Sequence, residues 1–289
     1  MSKQKVNKEE WLHEITPQNN LFSLNLKEVW EYRDLLFLFV KRNVVTVYKQ
    51  TVLGPLWYFI QPLFTALTFT LIFNKVANIQ TGVVPPFLFN LASITTWNYF
   101  KSCLTSTSDV FKGNAGIFSK VYFPRLIMPL ASVITNLIRF GIQLLIFIGF
   151  YVYYFLNGAL VKPTMYLLLF PFLVILMGLL GLGLGMIISS MTTKYRDVKN
   201  LMNFGVQLLM YVSAVMYPIT LINEKLPKFA WLVEYNPMAY IIESSRYMLL
   251  GDGSFSWGGI LYTTVIAIVL LFFGIILFNK TEKSFIDTI

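Results

Sequence analysis

The chain has one cysteine and one histidine in 289 residues. Cys103 alone excludes an intramolecular disulfide framework and a CxxC site. His13 precedes every apolar run, so no histidine site forms inside a membrane. Charge is scarce: Asp, Glu, Lys and Arg make up 13% of the chain, about half of the roughly 25% usual in a soluble domain. The phosphate-binding pattern GxxxxGK[ST] is missing. The nearest candidate, Gly113-Asn-Ala-Gly116, is followed by Ile, Phe, Ser and Lys at the wrong spacing. There is no HExxH and no clustered carboxylate pair. A chain built this way is not expected to be an enzyme, and no metal or cofactor is expected on it. Energy for any work on a substrate has to come from a partner or a gradient.

What is present is apolar. Hydrophobic residues make up 56% of the chain and aromatics 17%, and the mean hydropathy is +0.63. The net charge is +9. In a soluble protein that balance suggests nucleic acid; here it follows from membrane topology, which collects Lys and Arg on the cytoplasmic side. The basic start (Lys3, Lys5, Lys8) meets no apolar run before about Leu35, so no cleavable signal peptide is expected.

A hydrocarbon core of roughly 30 Å needs about 20 apolar residues in helix. Six stretches qualify: 54–75, 86–111, 124–156, 164–192, 198–217 and 257–279. The second is the weakest, because it holds Asn90, Asn98, Lys101 and many Ser and Thr. With the N-terminus inside, the cytoplasmic pieces hold eleven Lys and Arg besides the three N-terminal lysines, against four on the opposite loops. Both termini are therefore expected in the cytoplasm.

Two segments are not expected to span. Residues 26–49 mix Trp30, Leu35, Leu36 and Phe39 with Glu31, Arg33, Lys41 and Arg42, as in an amphipathic helix lying in the cytoplasmic interface; an ordinary solvated helix is the alternative. Residues 218–251 are apolar but broken by Pro218, Pro227 and Pro237. Asn236-Pro237 reads as an N-cap followed by Pro at the first helical position, and Gly251 closes a helix of about 14 residues. That is too short to cross. Glu243 and Arg246 are spaced to pair. Two short helices that dip into the outer leaflet or cover its mouth fit this pattern; a plain extracellular loop is the alternative. Gly181-Leu-Gly-Leu-Gly185 allows close helix packing. The last three spans do not repeat the first three.

Lys101, Asp109 and Arg139 are the ionisable groups inside spans. Lone basic groups suit an anionic or strongly polar cargo better than a cation relay; a structural role in a wet cavity is the alternative. The second span also carries Ser102, Thr105, Ser106 and Ser108, which should face protein or water. Trp57, Tyr58 and Phe64 fall on the first span, and Phe204, Tyr211 and Tyr217 on the fifth. Aromatic walls with hydroxyl and amide groups suit sugars, although interfacial belts explain single rings equally well.

Lys120-Val-Tyr-Phe-Pro-Arg125 joins spans two and three on the cytoplasmic side. Pro124 suits the first turn of the next helix. Val121, Tyr122 and Phe123 would then form an exposed patch with a basic rim, suited to docking a protein. Membrane-interface anchoring is the simpler alternative.

Here the chain resembles the membrane subunit of ABC-2 type polysaccharide exporters, the permeases for O-antigen and teichoic acid export. Five places carry the resemblance: Tyr48-Lys-Gln-Thr-Val-Leu-Gly-Pro-Leu-Trp57, Lys120-Val-Tyr-Phe-Pro-Arg125, Tyr195-Arg-Asp-Val198, Tyr217-Pro-Ile219 and Tyr235-Asn-Pro-Met238. Residues 1–25, expected as a cytoplasmic tail, match no pattern of the family; the resemblance implies an interface helix within 26–53 and an all-α membrane domain over 54–289 with six transmembrane helices. It further implies a homodimer with two copies of a separate ATPase subunit, which would bind ATP and Mg. The 112–123 loop would be a coupling helix, and Lys120, Val121, Tyr122, Phe123, Arg125, Arg196 and Asp197 would serve the ATPase contact. Spans one and five would line the pathway, through Trp57, Tyr58, Phe64, Phe204, Tyr211 and Tyr217 together with Lys101. The helices of 218–251 would form an outer gate carrying Asn236, Pro237, Glu243 and Arg246. The cargo would be a glycan on a polyprenyl diphosphate, and Arg33, Lys41, Arg42 and Lys49 would meet the diphosphate at the interface. The location implied is the bacterial inner membrane. An ABC-2 permease for a drug or small lipid, a gradient-driven glycolipid flippase and a membrane-embedded enzyme of glycolipid assembly are the competing readings.

Overall fold

The computed structural model describes residues 26–49, 54–118, 120–121 and 123–286. The expected tail 1–25, the stretch 50–53 and Tyr122 lie outside the described residues. Among the described residues, every regular element is helical. The interface segment is α1 (Leu26–Glu31) and α2 (Arg33–Lys49). Next come α3 (Trp57–Phe69), prolonged by π-helical turns over Thr70–Val76, and α4 (Pro86–Ser108). Short α5 (Val110–Gly113) and α6 (Ala115–Phe118) lead to α7 (Ile127–Leu156) and α8 (Phe170–Lys194). Then follow α9 (Val198–Val212), α10 (Ile219–Lys225), α11 (Ala230–Glu234), α12 (Pro237–Leu250) and α13 (Trp257–Ile286).

Among the described residues, four stretches are long and apolar enough to cross a membrane: Trp57–Val76, Ile127–Leu156, Met165–Lys194 and Trp257–Glu282. They match the first, third, fourth and sixth expected spans. The other two differ for separate reasons. α9 has 15 residues, about 22 Å of helix. α4 has the length, at 23 residues, but not the apolarity.

The polarity of α4 follows from its position. It packs against α3, α7, α8, α9 and α12, and most of its residues are buried. Several of its polar groups there find partners in protein, although Asn90 Oδ1 and the Thr95 and Thr107 hydroxyls are buried without one. Asn90 donates to Asn74 Oδ1 (2.8 Å) and Thr70 Oγ1 (3.1 Å). Ser93 and Thr96 donate back to the carbonyls of Phe89 and Ala92, and the Thr96 hydroxyl also meets that of Ser245 (3.2 Å).

α8 lies between α4 and α13. Glycines set both contacts, because residues i and i+4 share a face and i+2 faces nearly opposite. A Cβ at Gly181 would sit 2.6 Å from Cys103 Cβ, and one at Gly185 would sit 2.5 Å from Thr107 Cβ, both on α4. A Cβ at Gly183 would lie 2.8 Å from the Leu270 carbonyl carbon of α13. The GxxxG spacing thus serves close packing on α4, with a third glycine serving α13.

The expected pieces of 218–251 appear with more breaks than anticipated. The first is divided at Leu226 into α10, a 3-10 turn (Pro227–Phe229) and α11. The second is α12, ended as the sequence indicates: Asn236 Oδ1 accepts from the Met238 amide (3.0 Å), Pro237 opens the helix, and Gly251 is left-handed at φ +76°.

A polar cavity and the placement of the functional residues

At the end of the bundle that carries the 109–125 connector, α2, α4, α5, α7 and α9 line an open cavity of about 480 Å³. An adjoining pocket of about 430 Å³ shares much of its lining. The walls are hydroxyls and amides: Ser102, Thr105 and Ser106 from α4, Ser132 from α7, and Asn114 from the connector. Two arginines enter it. Arg42 of α2 donates to Asn43 Oδ1 (3.1 Å) and Asn114 Oδ1 (3.4 Å), and its guanidinium lies 4.9 Å from the Phe39 ring centroid. Arg139, in the middle of α7, donates to Asn136 Oδ1 (3.2 Å) and covers Tyr58 of α3 at 5.3 Å. Asn136 in turn donates to Ser106 Oγ (2.7 Å). Lys199 closes the rim in an ion pair with Asp109 at 2.9 Å. The cavity therefore carries three cations against one carboxylate among its lining residues. It suits an anionic or hydroxyl-rich ligand, because its cations outnumber its carboxylates and its walls offer hydroxyls and amides.

Sequence reasoning placed Arg42 at a lipid diphosphate and flagged Arg139, but missed Ser132, Asn136 and Lys199. The signal was available for two of them. Ser132, Asn136 and Arg139 are spaced four and three residues apart, which puts polar groups on one face of an otherwise apolar helix. Lys101 was expected on the pathway; it is exposed, and the lining takes Ser102 and Thr105 instead. Arg33, Lys41 and Lys49 are exposed on α2, outside the cavity lining.

The expected docking patch needs correction. Lys120 and Val121 are exposed, and Tyr122 lies outside the described residues. Phe123, however, is only 3% exposed. It packs at 5.6 Å on Phe39 and 5.7 Å on Phe118, because the interface helix supplies an apolar surface just where the connector returns. Arg125 is buried as well and pairs with Glu282. Neither presents a surface to a second protein. Arg196 and Asp197 are exposed in the turn between α8 and α9.

Of the expected pathway rings, Trp57 and Phe64 of α3 and Phe204 and Tyr211 of α9 are exposed. Tyr58 is half-buried beneath Arg139, and the Tyr217 hydroxyl donates to the Tyr211 carbonyl. The 218–251 pair is real and buried. Arg246 Nη2 lies 2.8 Å from Glu243 Oε2 and donates to the Ala214 carbonyl (2.9 Å), while Nη1 donates to the Tyr217 carbonyl (3.2 Å). The guanidinium also covers the Phe89 ring at 4.3 Å. Burial pulls the Arg246 pKa down, and the Glu243 carboxylate pulls it back up.

Four long apolar helices define a multi-pass membrane protein, and a basic, hydroxyl-lined cavity lies at one end of its bundle. The ABC-2 type transporter model matches residues 34–250, and the chain belongs to that family. It is 29% identical over 256 residues to an O-antigen export system permease protein RfbA of Klebsiella pneumoniae, covering 88% of this chain and 94% of that one. A second Klebsiella pneumoniae protein of the same name is 28% identical over the same length. The protein of that name from Myxococcus xanthus is 24% identical over 264 residues, covering 91% of this chain and 98% of its own.

Proposed function

We propose that this chain is the membrane subunit of an ATP-driven exporter that moves a lipid-linked polysaccharide, of the O-antigen or teichoic acid type, across the bacterial inner membrane. The observation that carries this reading is the basic, hydroxyl-lined cavity, found in a chain whose relatives are named for O-antigen export. Arg42 and Arg139 hold the lipid diphosphate, and the hydroxyls of α4 and α7 meet the first sugars. Arg33, Lys41 and Lys49 draw the anionic headgroup to the interface.

Two copies of the chain assemble with two ATPase subunits, which supply ATP and Mg binding; this chain holds no cofactor. The ATPase docks on the exposed part of the connector, Lys120 and Val121, and on the Arg196-Asp197 turn. Six segments cross, with α4 and α9 as the second and fifth, and both termini face the cytoplasm. α9 crosses together with the residues up to Tyr217. The exposed rings of α3 and α9 suit a pathway whose other wall is the second copy. The 218–251 helices cover its outer mouth.

The test is a pulldown of the tagged chain from native membranes in mild detergent, with surface glycan measured in a strain lacking the chain. A stoichiometric partner bearing a P-loop, together with loss of surface glycan, supports the reading. An active preparation without an ATPase refutes it in favour of a gradient-driven flippase. Intact surface glycan with the ATPase present points to a drug or small-lipid permease.

A further inference from the structure

The connector between α4 and α7 is tied to the far end of the sequence. Phe111 of α5 stacks on Phe278 of α13 with ring centroids 4.4 Å apart and planes at 24°. Phe118 and Phe123 add to the same buried cluster, which also takes Phe39 and Val40 from α2. Beside it, Arg125 reaches α13 across 157 residues of sequence. Its Nη1 donates to the Glu282 carbonyl at 3.0 Å, its Nε lies 3.7 Å from the Glu282 carboxylate, and its guanidinium covers Phe118 at 5.2 Å. The Arg125 side chain is 8% exposed and that of Glu282 30%.

A buried cation is unfavourable without a partner. Here the partner is the C-terminal part of a long helix, where carbonyls and the helix dipole both favour a cation. The planar guanidinium reaches a carbonyl and a carboxylate together, which an ammonium does not do with the same geometry. Beyond this clasp, α13 has little slack. A Cβ at Gly274 would stand 2.7 Å from the Gly183 carbonyl oxygen of α8, and α8 is equally close to α4 through Gly181 and Gly185. α4 in turn supplies one wall of the cavity. Contacts this close transmit displacement instead of absorbing it.

We propose that Arg125 is a positioning residue for transport, which clasps the connector to the last span so that force on the connector moves α13 and α8 toward the cavity wall. The inference rests on the exporter reading, in which an ATPase docks on that connector.

The experiment uses the full complex with its ATPase, reconstituted in proteoliposomes, and reads glycan exported per ATP hydrolysed. R125E and E282R should each assemble with the ATPase and lower that ratio by about tenfold, within the span of coupling between contacting residues. The swap R125E/E282R should recover only part of the loss, because it restores the ion pair with its signs reversed but not the bond to the Glu282 carbonyl or the favourable end of the helix dipole. F147A, which empties a buried ring site of α7 outside the connector cluster, serves as a packing control: it should lower thermal stability and leave the ratio unchanged. If R125E does not accumulate, R125K keeps the charge but loses the two-point contact and should lower the ratio about threefold. A swap no better than the single variants overturns the proposal, as does a wild-type ratio in R125E. A wild-type complex without an ATPase overturns the exporter reading and this inference together, whereas a bound, active ATPase with normal coupling in R125E overturns this inference alone.

Discussion

The contact between α8 and α13 allows a prediction with a worked magnitude. Alanine at Gly274 would place its Cβ 2.7 Å from the Gly183 carbonyl oxygen, and alanine at Gly183 would place its Cβ 2.8 Å from the Leu271 amide nitrogen. The obstructing atoms are backbone, so no rotamer change relieves them. Ordinary contact begins near 3.4 Å, so for G274A the helices must part by 3.4 − 2.7 = 0.7 Å. A gap of about 0.5–1 Å forfeits a quarter to a half of each contact's attraction, itself about 0.1–0.2 kcal/mol. Over several tens of atom pairs the loss is about 2 kcal/mol, inside the range of roughly 1–3 kcal/mol for overpacked interiors. Replacing helical Gly by Ala returns up to about 1 kcal/mol. A net loss of about 1–2 kcal/mol is expected for either variant, read as a lower melting temperature in detergent by fluorescence-detected size exclusion. The double variant G183A/G274A should cost less than the sum, since one separation relieves both clashes. Gly141 and Gly149 of α7 are the controls: nothing lies within 4 Å of a Cβ at either, so G141A and G149A should be neutral or stabilising. Equal melting temperatures for G274A and G141A would refute the packing argument.

Three other perturbations separate roles that the sequence merges. V121D should weaken ATPase capture with stability within about 0.5 kcal/mol of wild type, whereas F123A should lose about 3–5 kcal/mol of stability by emptying a buried ring site; loss of capture in F123A alone would reverse the assignment. R246M and E243Q should each destabilise by about 3–5 kcal/mol, because each strands a buried partner, and the double variant should melt above either single; additive losses would count against a coupled pair. R139Q should accumulate at least as well as wild type, since an intramembrane cation opposes insertion by about 2.5–3.5 kcal/mol, yet surface glycan should fall; normal glycan would remove Arg139 from the cargo site.

The local signals were the legible ones. Asn236, Pro237 and Gly251 bound α12 as their capping chemistry requires, and the fourth expected span, 164–192, matches the helical stretch Met165–Lys194. The spacing of Glu243 and Arg246 showed the pair, though not that it is buried. What was illegible depended on distant partners. Phe123 reads as exposed until α2 is placed over it, and Arg125 reads as an interface anchor until Glu282 arrives from the end of the chain. Ala214 gave no warning of its φ of +53°, a conformation L residues seldom hold. The Arg246 guanidinium donates to the carbonyl of that same residue at 2.9 Å, which helps to hold the turn.

The second expected span looked weak because hydropathy assumes one environment along a helix, and α4 has two. Toward its start, the Asn90 amide nitrogen and the Ser93 and Thr96 hydroxyls are paired with Asn74, Thr70, Ser245 and the helix's own carbonyls, so most of the donors are satisfied inside protein. Toward its end, Ser102, Thr105 and Ser106 open on the cavity beside Arg42 and Arg139. A structural role explains the first set, because an unpaired group there would be costly. It explains the second set only in part, since Ser106 also accepts from the buried Asn136 of α7. Ser106 and Thr105 already bond helix carbonyls, and a helix with apolar residues at those positions would pack as well without holding open a cavity between two cations. The polarity of the second half of α4 fits the cargo site proposed for the cavity.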